Sequence, residues 1–289
     1  MTSALNRLSD GTIELTLTIP WPDVAKTYEH AVEEAVKQTE VSGFRKGKAP
    51  RKVVEEQLDK TKVYEEVLKD LLPKVYNQAV TDQKLHPIIN PKIELKEASE
   101  GKDWIVRAVT CEKPDVMLGN YQQAIKDLKA SKQKKIWVPG QEPSASAKAP
   151  GDKEDRKPTL DELLKALSDS VSITIPSLLV EHEVNRLLSD LIDQTKKLGL
   201  SVEQYLASTG RTADSVRHEY EAQARRTLTL EFSLEEIADK EGILVSDDDI
   251  ARVIQTAKTD EEKKALEGQR YYLASVLRRQ KTLDFLASL

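Results

Sequence analysis

The chain has 289 residues, 39% hydrophobic, 32% charged and 5% aromatic, which allows two or three domains and is too apolar for a fully disordered polymer. Its 44 basic and 49 acidic residues leave a net charge of -5, so a duplex-coating protein is excluded and only a local basic patch could meet nucleic acid. The single cysteine, Cys111, excludes an intrachain disulfide framework and a multi-cysteine zinc site, and no apolar run reads as a membrane span.

The start, Met1 to Leu17, alternates polar and apolar residues and lacks a signal-peptide core, so the cytoplasm is the expected location. Thr12 to Ile19 alternates with period two and places Ile13, Leu15, Leu17 and Ile19 on one face of a strand, which Pro20 and Pro22 stop. Val24, Tyr28, Val32, Ala35, Val36 and Thr39 predict a helix over 22–40. A break with Gly43, Gly47 and Pro50 follows, then a short helix over 50–59 and a longer one over about 61–83 that Pro73 is expected to interrupt and kink. The buried side of that longer helix is read as Val63, Val67, Leu68, Leu71, Val75, Tyr76, Ala79 and Val80.

Ile88–Glu97 and Asp103–Glu112 read as a hairpin, giving a small sheet against helices that ends near Cys111. Tyr121–Ala130 reads as a connecting segment. Residues 139–158 hold four of the 12 prolines and no aromatic or branched aliphatic side chain, the composition of a flexible linker. The remainder is helical. Capping boxes are expected at Thr159/Glu162, Ser201/Gln204 and Thr259/Glu262, with an imperfect one at Ser246/Asp249. Helices are expected over 177–198 and 212–241, about five substantial ones in all after residue 158, with a short β-like stretch over Val171–Ile175.

Catalytic signatures are missing. There is no glycine-rich phosphate loop and no nucleophile elbow, and His182-Glu183-Val184-Asn185-Arg186 carries arginine where a zinc-protease helix needs its second histidine. No cofactor or metal is expected. Trp104 reads as core and Trp21 as packing at the strand-to-helix turn. Trp137 is either a plug on a domain surface or an exposed contact.

One segment is chemically distinctive. From Val41 to Val54 there are five basic residues and no acidic one, placed at a helix–loop–helix tip. Arg45 can form forked hydrogen bonds to carboxylate or phosphate, and Phe44 can add apolar contact. From physics alone the segment is either a solvated loop or a docking tip.

Gly43-Phe44-Arg45-Lys46-Gly47-Lys48-Ala49-Pro50 resembles the ribosome-docking signature of the bacterial trigger factor family, chaperones that meet nascent chains at the exit tunnel. The likeness covers about residues 1–130 and resumes over about 170–289. There Ile175 to Glu183, Tyr205-Leu206, Tyr220 to Arg226 and Asp284-Phe285-Leu286 are similar to the family's helical domain.

The resemblance implies an α+β ribosome-binding domain joined to an all-α chaperone domain with arm-like projections, in an elongated multidomain chain. Its expected domains are 1–130, with the connector, and 159–289, with 131–158 a linker standing where the family carries an isomerase domain of the FK506-binding type. It assigns ribosome docking to Gly43, Phe44, Arg45, Lys46, Gly47 and Lys48. It names as partners the large ribosomal subunit near the exit tunnel (a ribosomal protein and adjacent rRNA) and unfolded or nascent polypeptides. It names no membrane and leaves open self-association off the ribosome. The implied activity is ATP-independent shielding of clients. Rival readings are a prolyl isomerase, as the family name suggests, an rRNA-binding assembly factor using the tip alone, and an adaptor without client activity.

Overall fold

A computed structural model describes residues 2–38, 60–133, 158–257 and 259–289. The chain divides into two compact units that interleave in sequence: Met1–Lys113 with Pro176–His182, and Pro114–Ile175 with Glu183–Leu289.

The first unit is a four-stranded antiparallel sheet with helices against it. Its strands are β1 (Thr2–Arg7), β2 (Thr12–Ile19), β3 (Lys92–Glu97) and β4 (Trp104–Cys111), in the order β1-β2-β4-β3. The alternation in β2 sends Ile13, Leu15, Leu17 and Ile19 inward, each at most 1% exposed. Trp104, Val106 and Ala108 of β4 extend that apolar face. Against it lie α1 (Trp21–Gln38), through Val24, and α2 (Lys60–Asp82), through Val67, Leu71, Val75 and Ala79. Leu68, Tyr76 and Val80 are packed at the margin of this core rather than buried in it. The Tyr64 ring lies between those of Tyr28 and Trp104, tilted 42° to the first and edge-on at 80° to the second, with centroids 5.3 Å apart in each pair.

Three features differ from the sequence reading. The sheet has an extra edge strand, β1, which pairs with β2 from Thr2↔Thr18 to Arg7↔Ile13. It carries one branched aliphatic residue, Leu5, so pairing rather than its own pattern makes it a strand. The third strand begins at Lys92 and not at Ile88, because Pro87 and Pro91 cannot donate to a ladder. Helix α2 runs unbroken through Pro73, whose ring is on the exposed side, where water can satisfy the carbonyl it frees. The short helix expected over 50–59 lies outside the described residues.

The second unit holds a two-stranded ribbon and helices. Its elements are β5 (Val116–Leu118), α3 (Tyr121–Gln133), α4 (Leu160–Ser170), β6 (Val171–Ile173), α6 (Val202–Thr209), α7 (Ala213–Lys240), α8 (Asp247–Gln255), α9 (Asp260–Gly268) and α10 (Arg270–Ser288). One helix, α5 (Ser177–Lys197), belongs to the first unit as far as His182 and to the second from Glu183. Tyr121 and Ile125 of α3 are buried with Leu163, Leu167, Leu234, Ile237 and Leu286. Residues 121–130 are therefore a core helix, and not a connecting segment. The last expected helix is two, because α9 ends at Gly268 and Gln269 breaks the path before α10. All four foreseen capping boxes form, including Ser246/Asp249, where the shorter aspartate still reaches the Ser246 N–H at 2.9 Å. A fifth, Thr212/Ser215, starts α7. Among the described residues no helix is long and apolar enough to cross a membrane.

Candidate functional site

The tip residues Gly43, Phe44, Arg45, Lys46, Gly47 and Lys48 lie outside the described residues, as does Trp137. The flanking helices α1 and α2 both pack into the first unit's core.

Within the second unit, the described surface contains a groove between α7 and α10. Glu231, Leu234, Glu235 and Ala238 recur along α7 at the i, i+3, i+4, i+7 spacing of one helix face. Tyr271, Ala274, Ser275, Arg278 and Arg279 do the same along α10. Leu234 and Ala238 are buried and form the floor. The small side chains of Ala238, Ala274 and Ser275 keep the two helices from filling the space between them, which measures about 580 Å³.

The end wall is Leu244 and Val245, in the turn after α7. That turn is held from several sides. Gly242 takes a left-handed φ of +66°, and the Ile243 N–H reaches back to the Ala238 carbonyl at 2.8 Å. From α10, Arg278 donates to the Ile243 carbonyl at 2.9 Å and Lys281 to the Leu244 carbonyl at 3.2 Å. The backbone is pinned while the Leu244 side chain stays 76% exposed. Tyr271 is 95% exposed and Tyr272 65%, with Val276 also exposed on α10.

Charge around the groove is largely paired. Arg278 bonds Asp239 at 2.6 Å, Arg279 pairs with Glu231, and Lys281 with Asp249. Such pairs fix the rim's side chains more than they stabilise the fold. A smaller apolar patch, Ile192, Leu198 and Leu200, is exposed near the end of α5, where Gly199 turns the chain at φ +72°.

Neither surface contains a nucleophile beside a base. Among the described residues no cluster of three His, Cys, Asp or Glu could hold a metal. Arg186, in the place of a second zinc ligand, is ion-paired to Glu183 and Asp190. Cys111 is buried, and burial, assisted by the charge of Asp10, pushes its thiol up to about 11, which makes it inert at neutral pH. In α7, Leu228, Phe232 and Leu234 are buried, and Leu230 packs against the cluster that holds Leu234. The groove residues of α10 were not foreseen. Their signal was Tyr271-Tyr272-Leu273, three successive large side chains that cannot share one helix face.

The helical unit thus carries a groove with a floor of Leu234 and Ala238, a wall of Leu244 and Val245, and a charged rim. Two family models match the chain, one described as bacterial trigger factor protein over residues 1–136 and one as bacterial trigger factor protein C-terminus over 151–288. Together they span nearly all of it, and the chain belongs to the trigger factor family.

A trigger factor from Carboxydothermus hydrogenoformans is 25% identical over 413 aligned positions, covering 96% of this chain and 97% of the relative. One from Staphylococcus epidermidis is 35% identical over 108 residues, 37% of this chain and 25% of that protein. A solved trigger factor chaperone, described for promiscuous substrate recognition in folding and assembly, superposes with a TM-score of 0.66 at 14% identity. That superposition covers all of this chain and 99% of the other, and it shows a shared fold.

Proposed function

We propose that this chain is an ATP-independent, ribosome-associated chaperone that shields nascent and unfolded polypeptides from aggregation. The observation that carries the reading is the groove between α7 and α10, where Leu244 stands exposed on a pinned turn and Tyr271 stands exposed on the first turn of α10. Large exposed apolar groups around a half-open cleft are the mark of an interaction site. Weak contacts of this kind hold an unfolded client by mass action and release it once it buries its own apolar surface.

Docking is assigned to the tip. Phe44, Arg45 and Lys46 make the contacts, Gly43 and Gly47 shape the turn, and Lys48 adds charge. The partner is the large ribosomal subunit beside the exit tunnel, through a ribosomal protein and adjacent rRNA. The working location is the cytoplasm, partly on ribosomes.

The chain works without the family's isomerase domain. An alignment of 413 positions against 289 residues must contain more than a hundred positions filled only by the relative. The stretch between the two family matches, residues 137–150, is where that extra chain is expected to belong.

Two assays on the full chain test the reading. Light scattering of an unfolded client, without nucleotide, should fall as the protein is added. Co-sedimentation with translating ribosomes should be lost when Phe44, Arg45 and Lys46 are all replaced by alanine. A client that aggregates at an unchanged rate would refute the chaperone reading. Unchanged co-sedimentation of the triple variant would refute the tip assignment.

A further inference from the structure

The first turn of α5 is capped from outside its own neighbourhood. The chain enters the helix through Pro176, whose carbonyl accepts the first helical bonds from Leu179 and Val180. Proline has no side-chain oxygen and cannot cap the free amides that follow it. The cap comes instead from the turn between β1 and β2. One oxygen of Asp10, Oδ2, accepts the Ser177 N–H at 2.9 Å, and the other, Oδ1, accepts the Thr12 N–H at 3.0 Å.

The same turn receives the proline itself. Gly11 has a φ of +85°, and a Cβ built on it would stand 3.4 Å from the Pro176 ring. One helical turn later, Lys92 of β3 pairs with Glu181 at 2.8 Å. Next to that pair, His182 walls a cleft with Tyr76 and the loop 87–91, of about 390 Å³. Leu178, Leu179 and Val180 lie buried between the two polar fasteners.

We propose that Asp10 and Lys92 form a two-point clasp that fixes Pro176–His182 in the first unit, so that weakening either fastener opens this segment locally before the unit unfolds. The two oxygens of Asp10 do separate jobs, and this makes the residue hard to replace. Asparagine puts an NH2 group where one of the two carboxylate oxygens stood, so it turns a donor toward the N–H of either Thr12 or Ser177. The carboxyl is held well below its usual range. Burial alone would raise it, and the N–H groups of Ser177 and Thr12 outweigh that effect.

The test is amide hydrogen exchange on the full chain. Loss of a helix cap is worth about 1–2 kcal/mol, so Asp10→Asn and Asp10→Ala should speed exchange at Val180, Glu181 and His182 by roughly five- to thirtyfold. Exchange in β4 and along α7 should not change. Asp10→Glu, which keeps two acceptors, should restore part of the protection. Lys92→Glu should open the far end by a smaller factor, and adding Glu181→Lys should reverse it. Equal acceleration throughout the first unit would show that Asp10 merely stabilises that unit, and the proposal would fall. It would fall equally if exchange at 180–182 did not move. Should Asp10→Ala not fold, the Lys92/Glu181 exchange of charges reads out the same clasp independently.

Discussion

Replacing Leu244 and Tyr271 together with serine tests whether the groove holds clients. Fully burying a leucine side chain is worth about 1.5–3 kcal/mol. Leu244 is 76% exposed, so a client that covers it gains about 1–2 kcal/mol. Tyr271 at 95% exposed offers a similar or larger gross gain, giving about 3–4 kcal/mol for the pair.

About half of that is lost to ordering both partners, so the net loss should be about 1.5–2 kcal/mol, or roughly ten- to thirtyfold in affinity. The native fold should hardly notice, because side chains this exposed contribute little to folding. The assay is fluorescence anisotropy of a labelled unfolded client, with a thermal melt of each variant beside it. An unchanged client affinity in a variant with an unchanged melting temperature would refute the assignment of the groove.

The remaining predictions are more local. Ribosome binding through the tip should weaken as salt is raised if rRNA phosphates are part of its site, and Phe44→Ala alone should weaken it less than the triple substitution. Gly119→Ala should lower the melting temperature markedly, since a Cβ there would stand 2.3 Å from the Ser170 carbonyl oxygen, and the Gly119 N–H bonds that same oxygen at 3.1 Å. The cost is of overpacking size, about 1–3 kcal/mol, and a melt that matches the parent would contradict it. Cys111 should resist a thiol-alkylating reagent at pH 8 in the native protein and react once the protein is unfolded. Its folded pKa of about 11 exceeds the unfolded value of 9.0, so its contribution is complete below pH 9 and is lost as pH rises toward 11.

Periodicity found the elements whose own side chains decide their conformation. The alternation in β2, the burial of Val63, Val67 and Leu71 every fourth residue in α2, and four of the five Ser/Thr boxes of the helical unit are all local chemistry and were legible. Strand β1 was less so, because Leu5 alone gives it an apolar face and its ladder to β2 supplies the rest. Helix α3 was read as a connection because its burial depends on Leu163, Leu234 and Leu286, which are distant in sequence.

The groove was missed for a related reason. Tyr271 and Leu244 are ordinary apolar residues in the sequence, and their exposure follows from the packing of α10 and from the turn that Arg278 and Lys281 pin at Ile243 and Leu244. The Asp10 cap spans 167 positions, beyond any local pattern. The segment from Val41 to Val54, to which docking is assigned as a proposal, shows the reverse case, since its basic, acid-free composition is evident from the sequence alone.

The pairing of α3 with α4 has a consequence for how this architecture changes length. Lys132 near the end of α3 bonds Glu162 in the first turn of α4, and Leu128 of α3 packs on the cluster that contains Leu163 and Leu167. The two ends of the intervening chain, Gln133 and Pro158, are thus fastened close together whatever lies between them. Closing a loop costs only about 0.6 kcal/mol more for each doubling of its length. A short stretch, or a whole inserted domain whose own termini are adjacent, can therefore be exchanged there at small free-energy cost to the helical core. Family members of very different lengths can in this way keep one and the same helical unit.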